Sequence, residues 1–314
     1  MEKSIETDPW LILEEELNSD RQLASDNVFW LGNGKVGQSG NFEEFFSGDS
    51  KPCTYLSGIY KSKTTVDQNN TDQLSNLPNW TSLNIRLNTE LLDLSKCEII
   101  FYKRSLDLKK GYLERTFEVK TQENNHIQVS FQRFLSLKQK EIGAIKVFIR
   151  SIDFNGRILF TPVIDGDFNY VEPEWNVLQS KTQKEVAHLW IQTRKTNFQV
   201  CMAVTFDLYK NNALVKVNPT KIEKTNVAGF SFGTDLKSGE SACVHKFVSM
   251  LSSLDHPYNE LTIRACELAI TAKNTGWSNL FEENSTAWEQ NWEKIDSSLS
   301  KNEILTEFQQ YRPK

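Results

Sequence analysis

At 314 residues the chain is too long for a small stapled scaffold and long enough for two domains or one large β-domain. Lysine and arginine number 36 against 41 aspartates and glutamates, a formal charge of −5 without any basic block, which argues against a nucleic-acid partner. Hydrophobic residues at 39% and charged residues at 25%, with 14 glycines and 8 prolines, argue against a disordered or collagenous chain.

The opening MEKSIETDPW is acidic where a secretory signal needs a basic start and an apolar core, and no run of about 18 uncharged apolar residues follows. The expectation is a cytoplasmic protein with no membrane span. Residues 31–44, LGNGKVGQSGNFEE, carry Gly32, Gly34, Gly37 and Gly40. A phosphate loop needs Lys-Ser/Thr after its last glycine, and a dinucleotide loop needs a buried strand before it and a helix after it; neither context is present. These glycines are read as turn residues with positive φ.

From about residue 83 to 254, short runs rich in Val, Ile, Phe and Thr alternate apolar with polar positions and are broken by Asn, Gly, Asp and Lys clusters. HIQVSFQRFLSL (126–137) places Ile127, Val129 and Phe131 on one face, and AIKVFIRSIDF (144–154) does the same with Ile145, Val147 and Ile149. HLWIQTRKTNFQVCMAVTFDLY (188–209) reads as two strands around an Arg-Lys-Thr-Asn turn. The strands arrive too closely for intervening helices, which predicts packed antiparallel sheets rather than βα alternation.

After His256-Pro257 the period becomes helical. Leu261, Ala265, Leu268, Ala269 and Ala272 share one face, and Phe281, Trp288, Trp292 and Ile295 share another, with Gly276 between them as a C-cap. The last segment, SSLSKNEILTEFQQYRPK, predicts a further helix capped at Ser300 with Glu303 completing an S-x-x-E box. It then ends with no partner to pack against.

Chemistry-bearing residues give few patterns. Cys53, Cys97, Cys201, Cys243 and Cys266 are odd in number, widely spaced and contain no C-x-x-C, so buried, reduced packing residues are expected. Sequons at Asn69, Asn79 and Asn284 carry little weight in a cytoplasmic chain. His126, His188, His245 and His256 show no metal-binding spacing, although His188 and His245 in strand-like runs would suit a sugar epimerase. Glu43, Glu44, Asp165, Asp167, Glu172 and Glu174 could supply a glycosidic carboxylate pair, but solvated turn residues are the plainer reading, with Asp165-Gly166 a hairpin corner. Trp80, Trp175 and Trp190 could stack on a sugar face, although core packing is the commoner use of such residues.

Taken in order, LGNGKVGQSGNFEE (31–44), TYLSGIY (54–60), LSNLPNW (74–80), LDLKKGYLERTF (106–117), QRFLSL (132–137) and the Asp-Gly at 165–166 resemble the N-terminal region of glycoside hydrolase family 65. That family includes maltose, trehalose, kojibiose and nigerose phosphorylases and related hydrolases. The resemblance covers roughly residues 10–295, and the tail with Trp288, Trp292 and Asp296 is similar to the linker that precedes the family's catalytic barrel. It implies a mainly β chain: a large antiparallel β-sandwich of the galactose-mutarotase-like supersandwich type, followed by C-terminal linker helices. In the family an (α/α)6 barrel comes next and carries the catalytic glutamate and the phosphate site, so no catalytic residue is assigned here. Family members usually place an arginine before the last glycine of the first string, where this chain has Ser39; serine cannot make an arginine's forked hydrogen bonds.

The resemblance implies domains at 1–257 (supersandwich), 258–297 (helical linker) and 298–314 (the start of a barrel that is missing). Asn76, Pro78, Asn79, Trp80 and Arg115 are the candidate substrate-binding or barrel-facing residues. The Trp288/Trp292 face is expected to lie exposed where the barrel would cover it. The parent enzyme implied is an inverting α-glucoside phosphorylase or hydrolase. It would need no cofactor, with inorganic phosphate as co-substrate if it is a phosphorylase. Its partners would be the barrel of the same polypeptide, a second copy in a homodimer, and an α-linked glucose disaccharide. Two other readings are an autonomous carbohydrate-binding module on Trp80 or Trp175, and a mutarotase-like epimerase on His188 and His245.

Overall fold

The structure is a computed structural model and describes residues 8–61, 73–167, 174–294 and 300–313. Its larger sheet is antiparallel. From one edge it runs β1 (Leu11–Glu14), β7 (Glu98–Asp107), β8 (Tyr112–Lys120), β9 (His126–Leu135) and β10 (Ile142–Ser151). It continues through β18 (Ser241–Ser252), β14 (Gln199–Lys210), β13 (Ala187–Thr193) and β12 (Trp175–Thr182), with the short β15 (Ala213–Leu214) beside β14. The second sheet has the order β16 (Thr220–Lys224), β17 (Val227–Leu236), β11 (Gly156–Asp165), β5 (Leu83–Leu87) and β6 (Glu90–Leu91). A small ribbon is formed by β2 (Leu31–Gly32), β3 (Val36–Gln38) and β4 (Thr54–Leu56).

The two large sheets pack face to face as the alternation predicts. Phe206 of β14 stacks on Phe232 of β17 with ring centroids 3.8 Å apart. Lys246 of β18 crosses the same interior, and its Nζ donates to the carbonyls of Ser82 at 2.7 Å and Val163 at 2.8 Å. Ile127, Val129, Phe131, Ile145, Val147 and Ile149 all lie in this core.

The other face of the central strands is covered by α2 (Leu261–Thr275) and α3 (Trp277–Trp292), so β14 and β18 are buried along most of both faces. Leu261, Ala265 and Ala269 pack on Val186, Cys201, Ala203 and Leu251, while Trp277 and Leu280 pack on Phe134 and Phe247. Gly276, at φ +81°, turns the chain between the two helices, as the sequence predicts.

Two expectations about the C-terminal part are corrected. α4 (Lys301–Gln309) carries the predicted Ser300/Glu303 capping box, but it does have a partner. Ile304 and Phe308 are buried, and Phe308 stacks on Trp288 at 5.0 Å. The Trp288/Trp292 face is likewise closed by this chain: Trp292 donates its indole N–H to the Leu108 carbonyl at 2.9 Å and meets Trp10 edge-on at 4.9 Å. Gly111, at φ +64°, lies against the Trp288 indole with no room for a Cβ. Ile295, Asp296 and the junction at residue 297 lie outside the described residues.

Candidate functional site

The polar centre of the chain lies under the Gly-rich string and is built by strand parity. Arg104 on β7 and Arg115 on β8 are direct cross-strand partners, and Arg133 on β9 sits one diagonal step away, opposite Leu113. All three side chains point inward among Phe29, Phe42, Phe117 and Phe131 and are at most 2% exposed. Like charges opposed on one face repel, so this arrangement requires counter-charges.

Glu43 and Glu44 supply them. Glu44 grips Arg115 with both oxygens, at 2.7 Å to one guanidinium nitrogen and in a short contact to the other. Glu43 bridges Arg115 and Arg133, at 3.0 Å to each. Burial opposes the charge on Glu43, but Arg133 and Arg115 outweigh it and hold the carboxyl below its ordinary pKa. The reading of Glu43 and Glu44 as solvated turn residues is therefore corrected: the Arg115 and Arg133 guanidiniums in an apolar interior draw them in. Arg104 adds Asp26 at 3.5 Å and Glu14 at 3.6 Å. Burial lowers Arg133 to about 10, which leaves it charged at neutral pH.

Three guanidinium nitrogens also donate to consecutive backbone carbonyls of the string, and Arg104 donates as well to the Ser25 hydroxyl at 3.1 Å. Arg133 donates to Ser39 at 2.7 Å and Asn41 at 2.9 Å, and Arg104 donates to Gly40. A phosphate loop presents N–H groups to an anion. Here the N–H groups of Ser39 and Gly40 are already bonded to Cys53 and Asp26, and the carbonyls face cations. Ser39, at the departure from the family pattern, accepts from the Cys53 N–H and donates to Asn41, both at 2.9 Å. Of the four glycines only Gly34 has positive φ; the others are required by close approach, Gly40 to Arg104 and Phe29, and Gly32 and Gly37 to the C-terminal segment. Positive φ as the common reason is thus corrected.

The LSNLPNW loop lies inside the domain. Asn76, half-buried, accepts from Thr54 N–H at 2.9 Å, donates to Pro52 at 3.1 Å and takes the Trp175 indole N–H on its carbonyl at 3.0 Å. Asn79 pairs with Asp165 by two backbone hydrogen bonds and caps Thr81. Pro78 is buried, and Trp80 is fully buried against Gly143. Arg115 belongs to the network above, so the structure does not gather the five candidates at one surface. Trp80 at 0% and Trp175 at 2% exposure present no platform to a sugar, which corrects the binding-module reading based on them. The sequons at Asn79 and Asn284 are also buried, and Asn69 lies outside the described residues.

His188 and His245 are on the helix-covered face of the large sheet, not between the sheets. His188 on β13 is level with Ser249 on β18, two strands away, and His245 lies four residues along β18. They are therefore roughly 16 Å apart by strand spacing and rise. His188 forms the floor of a 320 Å³ cavity between β12 and α2, with Lys181, Gln183, Ile263 and Glu267 at the rim. Its ring is engaged by Gln179 at 2.8 Å and the Cys266 thiol at 3.5 Å, burial holds it below the usual histidine pKa, and burial pushes the thiol to about 11. This is a neutral imidazole beside a protonated thiol, without an activated nucleophile. His245 packs on Tyr209 and Trp277, at 4.9 and 5.9 Å, and burial lowers it to about 4. The two histidines do not converge, and the epimerase reading loses its geometry.

The other acids are equally local. Glu174 pairs with Lys61 at 3.3 Å, and Glu172 lies outside the described residues. Asp165 accepts the Asp167 N–H at 2.8 Å, but the hairpin corner expected at Asp165-Gly166 is corrected: β11 ends there in the second sheet and β12 belongs to the larger one. No group of three potential metal ligands occurs among the described residues, and none of their helices is long and apolar enough to cross a membrane.

The chain is an antiparallel sandwich whose buried guanidiniums and carboxylates are engaged within it and whose large sheet carries helices on one outer face. In fold it matches the putative kojibiose phosphorylase from human microbiome with a TM-score of 0.81 at 20% identity, over 91% of this chain and 38% of that one. The profile of the glycosyl hydrolase family 65 N-terminal domain matches residues 12–291, and the chain belongs to that family. It is 27% identical to the alpha,alpha-trehalose phosphorylase of Thermoanaerobacter brockii over 94% of this chain and 41% of the relative. To the maltose phosphorylase of Bacillus subtilis (strain 168) it is 26% identical over 97% of this chain and 41% of the relative. The chain thus spans about two fifths of the length of these curated relatives.

Proposed function

We propose that the chain is the non-catalytic N-terminal platform of an enzyme that cleaves α-linked glucose disaccharides, by phosphorolysis with inorganic phosphate as co-substrate, or by hydrolysis. The observation that carries this is the family match over residues 12–291 together with relatives, named as phosphorylases, that are more than twice as long. The chemistry of the interior supports it. The acids and guanidiniums that could serve a sugar are engaged with one another or with the Ser39–Asn41 backbone.

In this reading the catalytic groups lie in an (α/α)6 barrel on the same polypeptide, the enzyme works in the cytoplasm, and a second copy of the chain completes a homodimer. No cofactor beyond phosphate is called for. The 314-residue chain should release no sugar 1-phosphate from maltose, trehalose or kojibiose with phosphate, whereas a longer chain carrying this segment and the barrel should. Release by the short chain would overturn the proposal.

A further inference from the structure

Gly32 on β2 and Gly37 on β3 are cross-strand partners, so they share one face of the ribbon and leave a bare patch there beside Tyr55 of β4. The segment that follows α4 lies on this bare patch. The Gly34 N–H donates to the Tyr311 carbonyl at 2.7 Å, a Cβ on Gly32 would overlap that same carbonyl, and a Cβ on Gly37 would overlap the Pro313 ring.

The flanking contacts are particular to each residue. The Tyr311 ring meets Trp288 edge-on at 4.7 Å. Arg312 donates to the Asn27 carbonyl at 3.1 Å, near the C-terminus of α1 (Gln22–Val28), where a cation is favoured, and its guanidinium lies 5.4 Å from the Trp30 ring centre. Pro313 has no N–H and so needs no acceptor in its seat. Trp30 in turn stacks on Tyr55 of β4 at 5.8 Å, so all three strands of the ribbon take part.

We propose that the paired glycines Gly32 and Gly37 form a recognition seat for the Tyr311-Arg312-Pro313 segment of this chain, a latch separable from the sandwich core that binds the same segment supplied as a free peptide. The latch accounts for glycine at both positions without any phosphate. It ties the Gly-rich string at residues 31–44 to the segment beyond α4. It stands independently of the enzymatic reading, because it rests on contacts within this chain.

Hydrogen exchange on the full chain and on its Gly37→Val and Phe308→Asp variants tests it. Both variants should speed exchange of residues 301–312 at least tenfold and leave β10 and β18 as protected as in the parent. A labelled peptide of residues 300–313 should bind the Phe308→Asp chain, whose seat is vacated, and bind the Gly37→Val chain at least tenfold more weakly. Unchanged exchange of 301–312 in Gly37→Val would overturn the proposal. So would loss of protection in β10 and β18 along with the segment, or equal peptide binding by the two variants.

Discussion

Replacing Arg115 with methionine keeps most of the stem and removes the guanidinium, leaving the fully buried Glu44 without its two-point partner and Glu43 with Arg133 alone. Breaking one side of a buried pair costs about 3–5 kcal/mol, because the remaining charge is stranded in an apolar interior. The lost contact with the Phe42 ring, 3.9 Å from the guanidinium carbon, adds about 1 kcal/mol. With a urea slope of about 3 kcal/mol/M, the unfolding midpoint should fall by about 1–2 M. Tryptophan emission across a urea titration reads this directly. Adding Glu44→Gln removes the stranded charge, so the double variant should recover about 2 kcal/mol of the loss. A single variant within about 1 kcal/mol of the parent, or a double variant whose loss equals the sum of the two singles, would refute the reasoning.

Because the folded pKa of His245 is about 4 and the unfolded value about 6.5, the unfolded chain protonates first; stability should be full above pH about 6.5 and fall as pH drops toward 4. His245→Phe should flatten that slope in urea midpoints taken at pH 7.5 and 5, and an unchanged slope would count against a buried neutral imidazole. Gly111→Ala forces a side chain onto φ +64° and into the Trp288 indole, so thermal unfolding should show a loss of about 3 kcal/mol; a loss under about 1 kcal/mol would show that α3 shifts freely. Calorimetric titration with α-linked glucose disaccharides should give no heat up to millimolar ligand, because Trp80 and Trp175 are buried. Saturable heat would return the binding-module reading.

Much of the sandwich is legible in the sequence because it rests on local periodicity. The inward row of β9, the Arg194–Asn197 turn between β13 and β14, Gly276 between the helices and the Ser300 cap all follow from spacings of one to four residues. The centre is less legible because its parts lie far apart: Glu44 and Arg115 are separated by 71 residues, and the Asn41 carbonyl and Arg133 by 92. A signal was nonetheless present. Arg115 has the parity of Leu113 and Phe117, and Arg133 that of Phe131 and Leu135, so each places a guanidinium on an apolar face and demands a buried carboxylate or carbonyl. The partners of the last segment gave no such warning: Trp288 meets Tyr311 across 23 positions and Gly34 meets it across 277, and neither spacing is a helical or strand period.

If the catalytic groups lie outside these 314 residues, as proposed, the chain alone turns over no disaccharide. Phosphorus NMR of the pure chain at high concentration, incubated with phosphate and each of trehalose, maltose and kojibiose, addresses it most directly. The expected result is a phosphate resonance of constant intensity with no sugar-phosphate signal. A growing sugar 1-phosphate signal that scales with the amount of chain would contradict it.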